Sequence, residues 1–266
     1  MSTGQYGGIM RIVSFTGPKG SGKDTSADIL KEEKIAAGSL SFAGPLKKIC
    51  AEVFKLHHNY MNDPSLKEKE LEEPIVLQSK HFRKINLAMT EHLDQDEYFY
   101  NPYKASIAGL EGRVITTPRQ LLQVIGTDYI RNRIDPNWLL QAAFSKSTLA
   151  KMDQEGLYCI TDARFPTEYQ FLADRFGEDF KGFYVERPEA EQRLQEGAHA
   201  SELQVLEVKK LIPEENVLQN NKSLEDLKKK LLALKLGDEK PKGKKGQANA
   251  SKFKFAQAGK SDEGSF

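Results

Sequence analysis

This chain of 266 residues has only two cysteines and almost balanced charge. It also has no long apolar run. The two cysteines, Cys50 and Cys159, lie inside apolar segments, so we expect reduced core thiols and no disulfide framework. No apolar run approaches the roughly 20 residues that a membrane-spanning helix needs. A formal net charge of +1 gives no reason to expect a nucleic-acid partner. These absences favour a globular cytoplasmic protein.

The two ends of the chain have little of what a folded core requires. Residues 1–9 have neither the basic nor the apolar region of a signal peptide, and we expect a flexible leader. Residues 237–266 are rich in Lys, Gly, Ser and Ala without periodicity, which predicts a disordered basic tail. Phe253 and Phe255 among its lysines could bind single strands, but a solvated end is the better interpretation. The folded domain is therefore expected over residues 10–236.

Within that domain, short β-branched segments alternate with amphipathic ones. Strands are predicted at residues 10–16, 39–44, 157–165, 181–188 and 215–220. Helices are predicted to begin near Lys23, Pro45, Thr117, Asp135 and Ser223. Residues 57–112 are polar and charged, and we expect a partly helical insertion there. The alternation predicts an α/β fold with a parallel sheet of about five strands.

The glycine-rich segment 17–23 lies between the first predicted strand and the first predicted helix. It reads Gly-Pro-Lys-Gly-Ser-Gly-Lys and fits the pattern G-x-x-x-x-G-K. Such a turn directs backbone N–H groups toward phosphate oxygens, and its lysine reaches the β- and γ-phosphates of a nucleotide. The segment therefore predicts a nucleotide site, against the alternative of a glycine turn that binds nothing.

Asp24 stands where motor and GTPase-type loops place the Ser or Thr that binds magnesium, and Thr25 follows one residue later. This order is similar to the loop of adenylate kinase and other nucleoside monophosphate kinases. Two interpretations of Asp24 stay open. It contacts the metal or its waters, or it stabilises the positive end of the helix.

A kinase with a small acceptor needs a second phosphate site, for which arginine is suited. Arg164 and Arg187 follow two predicted strands, where ligands bind in open α/β sheets. Asp162 ends a strand as the magnesium-associated acid of P-loop enzymes does, and a helix cap is its alternative role. For any single arginine, a solvated surface charge is the alternative.

Several blocks resemble the bacteriophage deoxynucleoside monophosphate kinases, in order over about residues 10–235. The blocks are SFTGPKGSGKDTSAD, FAGPLKKICAEVF, LLQVIGTDYIRNRIDPNWLLQ, ITDARFPTEYQFL, VERP…HASE and NVLQNNKSLEDL. The resemblance implies a nucleoside monophosphate kinase-like P-loop fold, three-layer α/β/α, with a helical insertion and a lid at about 187–204. It also implies phosphoryl transfer from ATP, with Mg²⁺, to deoxynucleoside monophosphates, for phage DNA synthesis in the host cytoplasm.

The resemblance further implies roles for individual residues. ATP would be held by Gly17, Lys19, Gly20, Ser21, Gly22, Lys23, Asp24 and Thr25. Mg²⁺ would be bound, directly or through water, by Asp24, Thr25 and Asp162. The acceptor would be bound by Arg119, Asp128, Arg131, Trp138, Asp162 and Glu168. The catalytic residues would be Lys23, Arg131, Arg164 and Arg187, and the lid would carry Arg187, His199, Ser201 and Glu202. Trp138 would stack on a base or, equally, be a core aromatic.

Two other functions stay open from the sequence. One is another small-acceptor P-loop kinase, acting on dephospho-coenzyme A or phosphomevalonate, although the block GTDYIRNRIDPNW favours deoxynucleotides. The other is a nucleotide-binding interaction protein without turnover. We expect small-molecule substrates as partners, no membrane and no nucleic acid, and a homodimer is left open. His57 and His58 lack the cysteine or carboxylate spacing of a metal site.

Overall fold

A computed structural model of the chain describes residues 10–92, 105–150, 152–153, 155–195 and 200–237. Its centre is a five-stranded parallel sheet in the order β2-β5-β1-β6-β7. These strands are β1 (Arg11–Thr16), β2 (Gly38–Leu40), β5 (Leu157–Ile160), β6 (Phe180–Glu186) and β7 (Val217–Gln219). A separate antiparallel pair is formed by β3 (Ile75–Val76) and β4 (Val114–Ile115). The prediction of a parallel sheet of about five strands is confirmed.

Helices surround the sheet and build a second region beside it. In the first half of the described chain they are α1 (Lys23–Glu32), α2 (Gly44–Phe54), α3 (Asn59–Asn62), α4 (Pro64–Lys67), α5 (Ser79–His92) and α6 (Pro118–Gln123). A π-helix, Val124–Ile134, continues α6 directly. The remaining helices are α7 (Trp138–Ala143), α8 (Lys146–Leu149), α9 (Pro166–Phe176), α10 (Pro188–Gln195), α11 (Ala200–Lys209) and α12 (Leu224–Ala233). Short 3₁₀ turns occupy Gly177–Asp179 and Glu214–Asn216.

The alternation of side chains along β1 explains the layering. Val13 and Phe15 pack in one core cluster with residues of α1 and α12. Ile12 packs in another cluster with residues of α7 and α9, such as Leu140 and Leu172. Successive residues of a strand point to opposite faces, so a fully buried strand needs helices on both sides. The arrangement is the predicted three-layer α/β/α fold.

A second hydrophobic core lies among α2, α5, α6 and the π-helix. Tyr129 donates a buried hydrogen bond of 2.8 Å to Asn86 Oδ1 there, joining the π-helix to α5. A Cβ on Gly126 would lie 2.5 Å from Leu46 Cδ2, so glycine permits the close approach of the π-helix to α2. Much of the predicted insertion, residues 57–112, belongs to this helical region.

Several predicted boundaries differ from the structure for identifiable reasons. The strands expected at 39–44 and 157–165 end at Leu40 and Ile160, because Asp162 binds Ser41, Phe42 and Ala43 and diverts both segments from the sheet. The helix expected from Asp135 begins at Trp138. The helix predicted from Thr117 and Pro118 continues as a π-helix, which hydrophobic periodicity does not distinguish from an α-helix.

The predicted helix caps at Thr117 and Ser223 are confirmed, since their hydroxyls accept hydrogen bonds of 3.2 Å from the backbone N–H of Gln120 and Asp226. Among the described residues, no helix is both long and apolar enough to cross a membrane. The predicted leader, most of the tail and His199 lie outside the described residues.

Candidate functional site

The phosphate loop, residues 17–22, connects the end of β1 to the start of α1. Gly22 precedes α1 with a left-handed backbone, φ 104°, which residues other than glycine rarely adopt. A Cβ there would also lie 2.3 Å from Asn220 Nδ2, so space as well as backbone angle requires glycine. No side chain of the described residues caps α1, and its first N–H groups are available to an anion.

Asn220 fixes the loop from the connection between β7 and α12. Its Nδ2 donates a buried hydrogen bond of 2.7 Å to the carbonyl oxygen of Ser21. Its backbone N–H donates to the carbonyl oxygen of Glu186 at the end of β6, at 2.8 Å. The hydroxyl of Ser21 is buried and makes no hydrogen bond within the described chain. The loop is thus held rigidly, with a polar group left for a ligand to satisfy.

Lys23 opens α1 and folds back over the loop. The residue is 9% exposed, and its Nζ donates to the carbonyl oxygen of Pro18 at 3.3 Å. The carboxylate of Asp24 lies 3.9 Å from the same Nζ and its side chain is 74% exposed. Thr25 is exposed in the same helical turn. A buried ammonium beside uncapped N–H groups provides the positive potential that binds nucleotide phosphates.

A pocket of about 250 Å³ opens on one side of this loop. Its lining joins the loop and α1 to the end of β6 and the β7–α12 connection. The polar part of that lining is Asp24, Thr25, Arg187, Asn220 and Lys222, with Gly20 and Gly22 at the loop. Arg187 lies 3.3 Å, through Nε, from the carboxylate of Glu189. The predicted loop residues and Arg187 are therefore brought together here.

Four cations form a second group, called here the cation cluster: Lys47 of α2, Lys67 of α4, Arg119 of α6 and Arg164 after β5. Burial and the charges of the other three cations lower the pKa of the half-buried Lys67 to about 8, and Asp24 acts in the opposite direction. Lys47, Lys67 and Arg164 make no side-chain ion pair with any described residue. The cluster thus carries positive charge that the described chain leaves uncompensated.

Glu68 connects the phosphate loop to this cluster. Its Oε1 accepts hydrogen bonds from Lys19 Nζ at 3.0 Å and from Arg119 Nε at 2.5 Å. Both partners are predicted site residues, on the loop and on α6. One oxygen of Glu68 therefore binds both Lys19 of the phosphate loop and Arg119 of the cation cluster.

Arg131 and Glu168 form a buried ion pair, with Nη2 and Oε1 2.6 Å apart. Oε2 of Glu168 accepts from the backbone N–H groups of Arg164 and Phe165, and the Arg131 guanidinium stacks 3.9 Å from the centre of the Phe165 ring. Burial raises the pKa of Glu168 above its ordinary value, although Arg131 and the N–H of Arg164 act in the opposite direction. Each carboxylate oxygen faces donors only, which fits the ionised form. The pair fixes the backbone that carries Arg164.

Asp162 lies at the carboxyl end of the sheet, as predicted. Its oxygens accept hydrogen bonds from Ser41 Oγ at 2.6 Å and from the N–H groups of Phe42 and Ala43 at 3.1 and 2.9 Å. Asp162 therefore supports the start of α2. The alternative prediction from the sequence was that it caps the following helix, α9. A metal ion would share this carboxylate with three donors.

Asp128 and Trp138 lie in the helical region beside the sheet. Asp128 pairs with Arg113 at 3.0 Å on the exposed side of the π-helix. Trp138 is 0% exposed and packs in the helical core. Its position favours the core alternative over stacking on a base, because no face of the ring is accessible.

The predicted lid is described in part. Arg187 precedes α10, and Arg193 of α10 approaches the loop, with Nη2 3.3 Å from where a Cβ on Gly20 would lie. Below α10, Lys209 forms ion pairs with Glu186 and Glu191, and Tyr184 donates to Glu191 at 2.9 Å. His199 lies outside the described residues, as do the side chains of Ser201 and Glu202.

The oxygen donors at the start of α1 fit a magnesium ion. Mg²⁺ prefers carboxylates, hydroxyls, phosphates and water, and it is usually held by one or two protein groups together with substrate phosphates. Asp24 presents an exposed carboxylate and Thr25 an adjacent hydroxyl. Over the described ranges no three His, Cys, Asp or Glu side chains converge into a protein-only metal site, His57 and His58 included.

A larger cavity of about 520 Å³ lies along α2 and the segment that follows it. Lys47 lines this cavity and also belongs to the cation cluster. Ser41, which binds Asp162, lies at the cavity as well. Apolar Ala51, Leu56 and Met61 and polar Glu52, His57 and Asn62 complete much of the lining. The volume is in the range of small-molecule pockets.

Five charged or polar residues of this site were not identified by sequence reasoning: Lys47, Lys67, Glu68, Arg193 and Asn220. Lys47, Lys67 and Arg193 lie in helices and Glu68 directly follows one, and no local pattern marks them as site residues before the chain folds. Asn220 had one weak signal, its position at the end of the last predicted strand.

Comparisons with known proteins agree with this geometry. The family described as deoxynucleotide monophosphate kinase matches residues 11–231. A protein of Acanthamoeba polyphaga mimivirus, provisionally named a deoxynucleotide monophosphate kinase, is 24% identical over 235 residues. The match covers 84% of this chain and 95% of the viral protein. With its phosphate loop on a five-stranded parallel sheet, the chain belongs to the deoxynucleotide monophosphate kinases, a family of phosphotransferases.

Proposed function

We propose that this chain transfers the γ-phosphoryl group of ATP to the 5′-phosphate of a deoxynucleoside monophosphate. The observation that supports this most strongly is that the phosphate loop adjoins a pocket and is linked through Glu68 to a cation cluster in which three of four cations have no carboxylate partner among the described residues. A phosphoryl transfer enzyme needs two anion sites that meet at one point. The proposed products are ADP and a deoxynucleoside diphosphate.

The donor is proposed to bind with its phosphates on the loop and its nucleoside in the 250 Å³ pocket. Lys23 and the N–H groups at the start of α1 bind the β- and γ-phosphates. Asn220 keeps the loop in shape for them, and Arg187 adds a positive charge at the pocket edge. Asp24 and Thr25 would hold Mg²⁺, which supplies charge neutralisation on the β- and γ-phosphates when bound.

The acceptor is proposed to bind with its phosphate in the cation cluster and its nucleoside in the 520 Å³ cavity. Lys47 belongs to both, which supports a single ligand spanning them. Arg131 acts through its pair with Glu168, which fixes the backbone of Arg164.

The chemistry needs no general base. Above pH 7 a phosphate monoester is largely a dianion, since its second pKa is about 6. An acceptor oxygen attacks the γ-phosphorus, the bond to the oxygen bridging the β- and γ-phosphates breaks, and that oxygen leaves with ADP. Lys23, Arg119 and Arg164 are proposed to stabilise the charge on the transferring group. Arg193 at Gly20 and the helices of the proposed lid would exclude water, which would otherwise accept the phosphoryl group.

The likeness to phage kinases supports a role in supplying deoxynucleotides for phage DNA synthesis in the host cytoplasm. The test of the activity is ADP release from ATP and Mg²⁺ with dTMP, dGMP, dCMP or dAMP, each compared with its ribonucleotide and with no acceptor. We expect ADP release that requires a deoxynucleotide, and ADP release independent of acceptor would contradict the proposal. Lys23→Ala is expected to lower kcat at least about 100-fold with an unchanged circular dichroism spectrum.

A further inference from the structure

Lys67 is the last residue of α4, in a segment without a sequence motif. Its side chain is half-buried, whereas Lys69, two residues later, is exposed. A lysine loses solvation when it is partly buried, so a position of this kind needs a compensating interaction. No described carboxylate forms an ion pair with Lys67.

The acidic neighbour of Lys67 does not compensate it. Oε1 of Glu68 is bound by Lys19 at 3.0 Å and by Arg119 at 2.5 Å. Burial and the charges of Lys47, Arg119 and Arg164 lower the pKa of Lys67, and the carboxylate of Asp24 acts in the opposite direction. Like charges held together raise the free energy of the protein unless an anion joins them.

We propose that Lys67 binds the phosphate of the acceptor nucleotide, together with Arg119 and Arg164. This inference rests on the proposed function and names a binding residue from the insertion. An ammonium group acts as a point charge that contacts one phosphate oxygen, while the planar guanidinium groups bind others. Since α4 packs on α6 and Glu68, the residue after Lys67, binds Arg119, we place Lys67 and Arg119 within reach of one anion.

The structure also indicates how the cluster is kept open for the phosphate. Glu68 takes Nε of Arg119, which leaves the terminal nitrogens of the guanidinium for a ligand. The same carboxylate holds Lys19 of the phosphate loop. Glu68 is therefore a positioning residue that holds the loop and the cluster together, next to the proposed binding residue Lys67.

The experiment is calorimetric titration of the wild-type chain, Lys67→Met, Lys67→Arg and Lys69→Met. Each is titrated with the best acceptor among dTMP, dGMP, dCMP and dAMP, and with the corresponding deoxynucleoside. Loss of a charged hydrogen bond weakens binding by about 10- to 100-fold. We expect that loss for Lys67→Met with the monophosphate alone, little change with the deoxynucleoside, and partial recovery in Lys67→Arg. The matched control Lys69→Met is expected to bind both ligands as the wild type does.

Two results would overturn the inference while the proposed function stands. One is equal affinity of the wild type and Lys67→Met for the monophosphate. The other is an equal loss for monophosphate and deoxynucleoside, since the effect would then not depend on the phosphate. If the wild type neither binds nor phosphorylates any of the four deoxynucleotides, the proposed function itself fails and the inference fails with it.

Discussion

Charged residues of the candidate site differ in whether a carboxylate compensates them. Arg131 is neutralised by Glu168 in a pair whose side chains are 14% and 3% exposed. Lys47, Lys67 and Arg164 have no such partner in the part of the chain that the structure describes. The first arrangement maintains the architecture of the protein. The second supplies free positive charge, which is useful only when an anion binds.

Replacing Glu168 by Gln is expected to destabilise the fold by about 3 kcal/mol, because Arg131 would stay buried without its counterion. Urea unfolding measures this change. The matched control is Glu189→Gln, which breaks the exposed pair with Arg187 and is expected to cost less than about 0.5 kcal/mol. Equal effects of the two substitutions would contradict the role given to the buried pair.

Acceptor binding is expected to weaken as the pH rises through 8, the lowered pKa of Lys67. The phosphate is already a dianion above pH 7, so the change reports on the protein. Below the pKa the lysine is charged and binds. Above it the charged fraction falls, and the affinity drops about tenfold between pH 7 and 9.

Acceptor KM measured across this pH range tests the expectation. Arginine keeps its charge at every accessible pH, so Lys67→Arg is expected to give a flat profile. A wild-type KM that is constant from pH 7 to 9, or a slope that persists in Lys67→Arg, would assign the effect to another group.

At the scale of elements, the connection from β7 to α12 acts on a loop about 200 residues away in the sequence. Asn220 bonds the Ser21 carbonyl, and Lys230 of α12 donates to the Gln219 carbonyl at 2.7 Å. The last strand is thereby fixed to the helix that packs against α1. The conformation of the phosphate loop depends on this C-terminal segment as much as on its own glycines.

Asn220→Ala is expected to raise the KM for ATP about tenfold, because the Ser21 carbonyl loses its buried donor and the loop loosens. The acceptor KM is expected to change little, since Asn220 lies on the pocket side of the loop. Asn221→Ala is the matched control, because Asn221 is exposed. Steady-state kinetics with each substrate varied in turn would separate the two effects, and equal changes in both KM values would contradict the local role.

The sequence predicted those elements whose structure is determined by residues close together in the chain. The strand before the loop, the loop itself and the caps at Thr117 and Ser223 follow from chain chemistry within a few residues. The π-helix did not follow, because hydrophobic periodicity does not distinguish it from an α-helix, and the close approach of Gly126 to Leu46 of α2 is a contact between residues distant in sequence. The early ends of β2 and β5 likewise depend on Asp162, which is distant in sequence from Ser41.

At the scale of the whole molecule, the candidate site draws residues from the sheet region and from the helical region, which has its own hydrophobic core. Residues from the sheet and its flanking connections form the loop and the 250 Å³ pocket. Helices α2 and α6, of the second core, carry Lys47 and Arg119, and α4 carries Lys67. The proposed donor and acceptor sites thus belong to different parts of the fold, which meet at Glu68 and Lys19.

The sequence predicted the donor half of this arrangement better than the acceptor half. A phosphate loop is a contiguous motif, whereas the cation cluster gathers single residues from four separate elements. Arg119 and Arg164 were among the predicted site residues. Lys47 and Lys67 could not be distinguished from solvated lysines until the packing of α2, α4 and α6 was known.

The most direct test of the central claim is to follow the label from γ-³²P ATP. The products formed by the wild type and by Lys23→Ala are separated, and the label in each product is compared. The account predicts that the label appears in the deoxynucleoside diphosphate, in equal amount to the ADP formed, and that Lys23→Ala forms almost none. Label released as inorganic phosphate, at a rate that the deoxynucleotide does not change, would contradict phosphoryl transfer across this loop and identify an ATPase instead.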